Sequence, residues 1–257
     1  MQNDFSYKFN NYDLSILPYF FPTSRLPNAM PDIDVQAIKL VRNSGAIVVS
    51  SSFGKKVITV FGYILAPTRQ AYEQTLDELK WRLSAKQRPL VLVQAGAERI
   101  YTATVSSVAE GFIEGGKTFI TMTFDCNDPF GRDGNLQDYT EPNFTTTPKS
   151  IAHTFVGYAD IYPQFTVTIV AATGSTAKTV NIGNSTTGQQ ISVTRTWTAG
   201  DVLVVDSDTQ KVTVNGVVVD YSGFFPVFAP GTAYAQYSDN FTTRTAGVRV
   251  KYPKKYL

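Results

Sequence analysis

The sequence predicts a mainly β fold with one α-helix. Of the 257 residues, 43% are hydrophobic and 17% are charged, and Val, Tyr and Phe are common beside Thr, Ser and Asn. That mixture suits half-buried strands. Short runs alternate between apolar and polar residues, as at 120–124, and a single segment has helical spacing. We expect an α+β N-terminal domain, with a β-sandwich or split barrel plus a helix and a β-hairpin, followed by a C-terminal β-sandwich.

The predicted helix spans about residues 67–85. Pro67 suits a first helical turn because its missing N–H costs nothing there. Apolar residues recur at spacings of four, three and four, which places one apolar stripe along the helix: Tyr72, Leu76, Leu79 and Leu83. Acidic residues come early and basic residues late, which complements the helix dipole.

Strands are expected on both sides of this helix. The first 35 residues form an irregular arm with one short strand, Phe5–Phe9. A hairpin pairs Ile100–Ala109 with Thr118–Asp125 across Glu114-Gly115-Gly116. The remaining predicted strands of this half are Ala46–Ser50, Lys56–Ile64 and Leu90–Gln94.

The second domain follows a break in composition. Asp128–Lys149 contains three prolines and two glycines and is interpreted as a linker, so we predict domains at 1–140 and 141–257. Asn215-Gly216 between two Val-rich runs predicts a type I′ hairpin turn. Seven short strands without a helix indicate a β-sandwich or jelly roll: Phe165–Ala171, Lys178–Ile182, Gln190–Trp197, Asp201–Val205, Lys211–Val214, Val217–Tyr221 and Ala246–Tyr252.

The charge, the cysteine content and the N-terminal sequence limit the partners and the compartment that we expect for this chain. The net charge of +2 argues against a dedicated nucleic-acid binder. The last fifteen residues hold five basic residues and no acid, which fits either a solvated strand or a contact with an acidic partner. One cysteine allows no internal disulfide. The N-terminus resembles no secretory signal and no run approaches a membrane span of about 20 apolar residues, so we expect synthesis in a reducing cytoplasm.

Reactive constellations are missing from the sequence. His153 is the single histidine and lies in a strand-like run, which disfavours nucleophilic catalysis and zinc binding. Asp125, Asp128, Asp133 and Asp138 lack the spacing of a calcium loop. We therefore predict no catalytic, cofactor-binding or metal-binding residues, no cofactor and no enzymatic activity, a hydrolase being the least favoured class.

Aromatic and apolar residues suggest binding surfaces instead. Phe112 and Ile113 lie at the hairpin tip with no core above them, so we interpret them as a subunit interface. Five aromatic residues of the second domain either fill its core and rim or bind sugar rings: Tyr158, Tyr162, Trp197, Tyr234 and Tyr237. Trp197 and Tyr234 are the candidate glycan contacts. A carbohydrate-binding module for attachment to a host cell surface is therefore the alternative function.

Several motifs, in their order and spacing, resemble the distal tail protein (Dit) family of long-tailed, siphovirus-type bacteriophages. The resemblance covers nearly the whole chain. In the first half it rests on Thr59–Ile64, Leu76–Lys80, Leu90–Leu92 and the exit Phe124–Phe130. In the second half it rests on Gly200–Asp206, Val212–Gly216, Phe225–Gly231 and the basic, aromatic ending Val250–Leu257.

The resemblance implies a structural protein of the virion. Six copies would form a ring through the first domain, with the tail tube protein on one face and the tail-tip hub protein on the other. The galectin-like second domains would project outward and hold receptor-binding or other baseplate proteins, and DNA would pass the hole without sequence-specific contacts. The sugar signature of true galectins is not matched, since Arg195 and Trp197 alone suggest it, so "galectin-like" here implies shape.

Overall fold

The computed structural model describes residues 5–25, 31, 33–39, 46–94, 97–172 and 176–256. The chain divides into two compact units, the first ending at Gly134 and the second running from Asn135 to Tyr256. The described residues are mostly strand and contain one α-helix, which confirms the predicted mainly β fold class. Part of the predicted N-terminal arm, residues 1–4, 26–30 and 32, lies outside the described residues.

The first unit contains nine complete strands among its described residues, one 3-10 helix and the α-helix. In chain order the elements are β1 (Phe5–Phe9), β2 (Tyr12–Asp13), the 3-10 helix (Leu14–Ile16), β3 (Phe20–Arg25), β4 (Ile33–Lys39), β5 (Ala46–Phe53), β6 (Lys56–Ile64), α1 (Arg69–Leu83), β7 (Arg88–Gln94), β8 (Ala97–Glu114), β9 (Lys117–Cys126) and the start of β10 (Gly131–Phe144).

The long strand β8 connects the two halves of the main sheet of this unit. Its first half pairs with β7, which continues to β1 and β2, and its second half pairs with β9, which continues to β6 and β3. Ala103 is the changeover point, because it pairs with Arg88 on one side and with Cys126 on the other. Strands β4 and β5 pair with each other in a separate two-stranded sheet of the described residues.

Helix α1 closes the core of the first unit. It begins later than predicted, because the Thr68 side chain caps it by accepting a hydrogen bond from the Ala71 backbone N–H at 3.2 Å. Thr68 rather than a first-turn proline therefore sets the start. The predicted stripe is confirmed at three positions that are fully buried against the sheet: Leu76, Leu79 and Leu83.

The predicted hairpin is confirmed and is longer than expected. Glu114 pairs with Lys117, so the turn consists of Gly115 and Gly116, both with positive φ. Glycine adopts that conformation without a steric penalty, which is why a two-residue turn forms here.

The second unit continues β10 and adds ten further strands. They are β11 (Lys149–Phe155), β12 (Gln164–Ala172), β13 (Lys178–Asn184), β14 (Gln189–Arg195), β15 (Val202–Asp206), β16 (Lys211–Val214), β17 (Val217–Val218), β18 (Ser222–Gly223), β19 (Gly231–Asp239) and β20 (Arg244–Tyr256).

These strands form two sheets around one core. One sheet has the order β17-β16-β15-β12-β20-β10, and the other has the order β11-β19-β13-β14-β18. Buried side chains of both sheets meet between them, among them Val167, Val205, Val248, Ile182, Ile191 and Ala235. The predicted sandwich is therefore confirmed. The predicted Asn215-Gly216 turn joins β16 to β17 with both residues at positive φ.

The interpretation of Asp128–Lys149 as a linker is wrong over much of its length. Residues 131–144 form β10, which is hydrogen-bonded to β20. An ion pair joins the two strands, because the Arg249 guanidinium donates to both carboxylate oxygens of Asp138, and Lys251 Nζ lies 3.8 Å away. Part of the basic C-terminal strand therefore balances an acid of its own chain. No helix within the described ranges is long and apolar enough to span a membrane.

Candidate functional site

Four aromatic side chains form a stripe across one face of the first unit's sheet. Phe119 pairs with Tyr63 across β9 and β6, and Tyr63 pairs with Phe21 across β6 and β3. Ring centroids are 6.2 Å apart for Phe119 and Tyr63 and 5.1 Å apart for Tyr63 and Phe21. The Phe112 ring of β8 stacks on Phe119 at 4.6 Å. We call Phe21, Tyr63, Phe112 and Phe119 the aromatic stripe.

This stripe lies opposite the core because side chains alternate along a strand. The neighbours Phe20, Ile64 and Ile120 point to the other face and are fully buried. Phe112 is 65% exposed and Phe21 is 43% exposed. Tyr63 and Phe119 are partly buried. Rows of aromatic side chains that reach the solvent are typical of surfaces that bind partners.

The predicted interface residues lie at one end of this stripe. Ile113 is 73% exposed and follows Phe112 at the hairpin tip, and Leu65 is exposed beside Gly116. Sequence reasoning found the tip but missed Phe21, Tyr63 and Phe119. Their alternation with buried residues was a usable signal, but only strand pairing brings them into one row.

A second exposed apolar surface lies on the β4–β5 sheet. Ile33 and Val35 of β4 and Phe53 of β5 are all more than two-fifths exposed. Val49 is the extra residue of a bulge in the pairing and is also exposed. A two-stranded sheet is at best marginally stable alone in water, so such a surface is suited to being covered in an assembly.

The second unit has an exposed apolar patch of its own. The chain leaves the edge strand β17 of one sheet and enters the edge strand β18 of the other. Four apolar side chains along this crossing are exposed: Val217, Val218, Tyr221 and Phe224. We call them the crossover patch.

The candidate glycan contacts have opposite placements. Trp197 is 4% exposed, belongs to the sandwich core, and its indole N–H donates to the Lys178 carbonyl at 2.9 Å. Its ring is therefore not presented to a ligand. Tyr234 is 46% exposed on β19. A glycan contact at Tyr234 stays a prediction, whereas the one at Trp197 lacks the exposed ring that it requires.

The other residues considered for chemistry have structural roles. His153 Nε2 lies 3.1 Å from Tyr252 Oη, and its ring packs beside Phe155 and Tyr139. Burial lowers the pKa of this imidazole below its ordinary value. Among the described residues, no three His, Cys, Asp or Glu side chains come together to hold a metal. The acid Asp125, for example, is paired with Lys55 at 3.1 Å.

Cys126 is expected to resist alkylation in the folded protein. It is fully buried, and burial raises the pKa of its thiol to about 12. At pH 8 about one such thiol in ten thousand is the reactive thiolate. Mass spectrometry after iodoacetamide treatment at that pH should find the native chain unmodified and the guanidinium-unfolded chain with one adduct. Rapid modification of the native chain would contradict this burial.

The comparison with known families concerns the second unit. Residues 156–256 match the family model of the siphovirus-type tail component, C-terminal domain. Residues 156–256 are therefore similar to the C-terminal domain of this family of phage tail components, and the resemblance to the distal tail protein family is confirmed.

Solved structures of phage proteins share the fold over nearly the whole chain. The Dit protein of phage SPP1 is 16% identical, with a TM-score of 0.73 over 98% of this chain and 99% of that one. It is described as a paradigm of the hub of the adsorption apparatus in phages that infect Gram-positive bacteria. A chain of the phage p2 baseplate, in its activated conformation with strontium, is 11% identical, with a TM-score of 0.50 over 96% of this chain and 97% of that one. No curated protein matches the sequence.

Proposed function

We propose that this chain is a structural protein of a phage tail tip, and that six copies form a ring joining the tail tube protein to the tail-tip hub protein. The observation that carries the proposal is that residues 156–256 match a siphovirus-type tail component. The full-length fold similarity to the SPP1 Dit protein supports it. The protein is made in the host cytoplasm and becomes part of the virion.

The ring forms through the first unit. A stable interface buries about 800 Å² on each partner and has an apolar centre. The aromatic stripe with the hairpin tip provides one such centre, and the exposed β4–β5 sheet provides another. Two separate apolar surfaces on one unit suit a closed ring, because each copy then contacts a neighbour on either side.

The second unit faces outward and carries a receptor-binding or other baseplate protein. The crossover patch supports this role, because it places four exposed apolar side chains at the edge of the sandwich. Sugar binding by this unit is not needed for the proposal, in line with the burial of Trp197.

DNA passes the ring without being held. Up to Pro148 the sequence contains 14 basic and 15 acidic residues. A lining with a strong basic excess would bind the phosphates and release counterions. Because the positive and negative charges of the first unit nearly balance, the ring does not attract the DNA strongly, and the DNA can pass through.

Changing Phe112 and Ile113 together to aspartate is expected to prevent the chain from closing into the ring. Two carboxylates at the hairpin tip would have to lose their hydration in an apolar contact, which costs several kcal/mol. Size-exclusion chromatography with light scattering should find six times the 28.3 kDa chain mass for the unchanged protein and the chain mass alone for the variant.

Val217→Asp with Val218→Asp is the matched control, because it adds the same charges to an exposed apolar patch of the second unit. This control should retain the mass of the ring. If the hairpin-tip variant kept that mass as well, Phe112 and Ile113 would not belong to the subunit interface.

A further inference from the structure

We propose that the C-terminal end of helix α1 is a docking surface for an acidic segment of a partner protein. Trp81 lies at its centre and is 66% exposed. The helix buries Leu79 and Leu83, so Trp81, two residues from each, projects from the opposite face. An exposed tryptophan with an apolar face and an indole N–H is a common anchor of protein interfaces.

Positive charge surrounds this tryptophan. Between Glu78 and Glu98 the sequence contains four basic residues and no acidic one: Lys80, Arg82, Lys86 and Arg88. Together with Trp81 these residues form what we call the helix-end patch. Cations in the last turn complement the helix dipole, but Lys86 and Arg88 lie beyond the end of α1 and have no such role.

Carboxylates of the same chain offset part of this charge. Glu78 lies 3.2 Å from Arg82, and Glu110 lies 3.8 Å from Lys80. Both pairs are partly exposed, so they contribute little to stability. The exposed Lys86 and Arg88 add two further positive charges to the patch. Asp77 is a third carboxylate near the patch, because it is exposed one turn before Trp81 on the same helix face. The four basic side chains still outnumber these three carboxylates, so the patch keeps a net positive charge that attracts anions.

The centre of the patch is held in a fixed arrangement. The Arg82 guanidinium lies over two aromatic rings, 4.0 Å from the Tyr12 centroid and 4.6 Å from the Trp81 centroid. Such cation–π stacking orders the long arginine side chain and the indole together. A pre-ordered surface loses less entropy when it binds, which favours affinity.

The loop after the helix is also fixed, at some cost in backbone energy. Gln87 has a φ of +52°, a conformation that is unfavourable for a residue with a side chain. The Gln87 backbone N–H donates to Thr104 Oγ1 at 3.0 Å. Two residues further on, the Pro89 carbonyl accepts a hydrogen bond from the Asn10 N–H at 2.9 Å. These bonds hold Lys86 and Arg88 in place on the surface.

Two surface cavities next to the end of α1 offer space for side chains of a partner. One hollow, of about 260 Å³, lies between the end of α1 and β8 and includes Lys80 and Lys86 in its wall. The other, of about 210 Å³, lies beside Trp81 and Arg82. Trp81 in the wall of the second hollow, with Lys80 and Lys86 beside the first, complements an extended segment that has a carboxylate next to an apolar residue.

The occupant is a protein rather than a nucleic acid. Phosphate-backbone binding needs a long basic stripe, whereas this patch spans one helix end on a chain with a net charge of only +2. The helix-end patch shares no residue with the aromatic stripe or the β4–β5 sheet, so binding at this patch does not depend on formation of the ring.

Tryptophan quenching in the intact protein tests the charge and the accessibility of this surface. Trp197 is buried, so ionic quenchers report mainly on Trp81. After division by the same ratio for free N-acetyltryptophanamide, the iodide-to-caesium quenching ratio should be about threefold at low salt, because the cations concentrate the anion near the ring. Poly-L-glutamate, used as the acidic probe, should remove more than about half of the iodide quenching by covering Trp81.

The variant Lys86→Glu with Arg88→Glu should lose both effects. Lys86→Gln with Arg88→Gln is the milder second variant, and circular dichroism checks that both fold. Lys211→Glu with Lys254→Glu makes the same charge change in the second unit and should behave like the unchanged protein. An iodide-to-caesium ratio equal to that of N-acetyltryptophanamide, protection that survives in the Lys86/Arg88 variants, or protection by duplex DNA but not by poly-L-glutamate would each overturn the proposal.

Discussion

Replacing Phe228 with alanine is expected to lower the free energy of unfolding of the second unit by about 3–5 kcal/mol. The Phe228 ring is fully buried, stacks on Phe155 at 4.2 Å, and lies 6.0 Å from the Phe165 ring. Removing it leaves a cavity between the two sheets that stiff strands fill poorly. Most domains have a total stability of about 5–15 kcal/mol, so this loss approaches the threshold of folding.

Phe224→Ala is the matched control for this substitution. It removes the same side chain four residues earlier, at a position that is 77% exposed. Its expected effect is within about 0.5 kcal/mol. Urea titration followed by the fluorescence of the buried Trp197 reports on this unit. Equal losses for the two variants would contradict the placement of Phe228 in the core.

Replacing Arg244 with alanine is expected to cost about as much, roughly 3–5 kcal/mol. Arg244 Nε donates to Asp239 Oδ1 at 2.8 Å, and the Asp239 side chain is fully buried. The same guanidinium donates to the Phe241 carbonyl, so one side chain ties the end of β19 to the start of β20. Without it, the Asp239 carboxylate remains buried without its compensating charge.

Arg249→Ala is the control for Arg244→Ala, because it also removes a positive charge that is paired with a carboxylate, but at an exposed position. Arg249 also pairs with a carboxylate, that of Asp138, but both side chains are about two-fifths exposed. Exposed pairs contribute about 0–1 kcal/mol. A urea midpoint for Arg244→Ala close to that of Arg249→Ala would be inconsistent with a buried pair at Asp239.

Local signals in the sequence predicted much of this fold. The Asn215-Gly216 turn fixes the hairpin because both residues tolerate positive φ, and β16 has the predicted bounds, Lys211–Val214. The helix was recognised because its buried leucines repeat with helical spacing. Each of these signals acts over a few residues, so each can be read without knowing the rest of the chain.

Features that depend on distant partners were missed. The segment 131–144 looks like a linker because of its glycines, acids and Pro142, and it becomes a strand through its pairing with β20 more than a hundred residues away. Trp197 lies just after the end of β14, where strand alternation no longer says which way a side chain points. It packs in the sandwich core, where the Lys178 carbonyl accepts the hydrogen bond of its indole N–H.

The candidate site divides in the same way. The exposure of Phe112 and Ile113 can be predicted because a hairpin tip has no core above it, and their role in a subunit interface stays a prediction. The rest of the aromatic stripe needs the register of three strand pairs, since Phe119, Tyr63 and Phe21 are far apart in the chain. A surface that is formed by side chains from several strands is therefore difficult to predict from sequence, because the register of the strands has to be known.

Electron microscopy of the purified chain tests most directly whether the first unit assembles into a ring. Two-dimensional averages of negatively stained particles should reveal sixfold rotational symmetry around an open hole, with the second units as separate densities at the rim. Averages that contain isolated single-chain particles at every protein concentration, or closed assemblies of another symmetry, would contradict assembly into a sixfold ring.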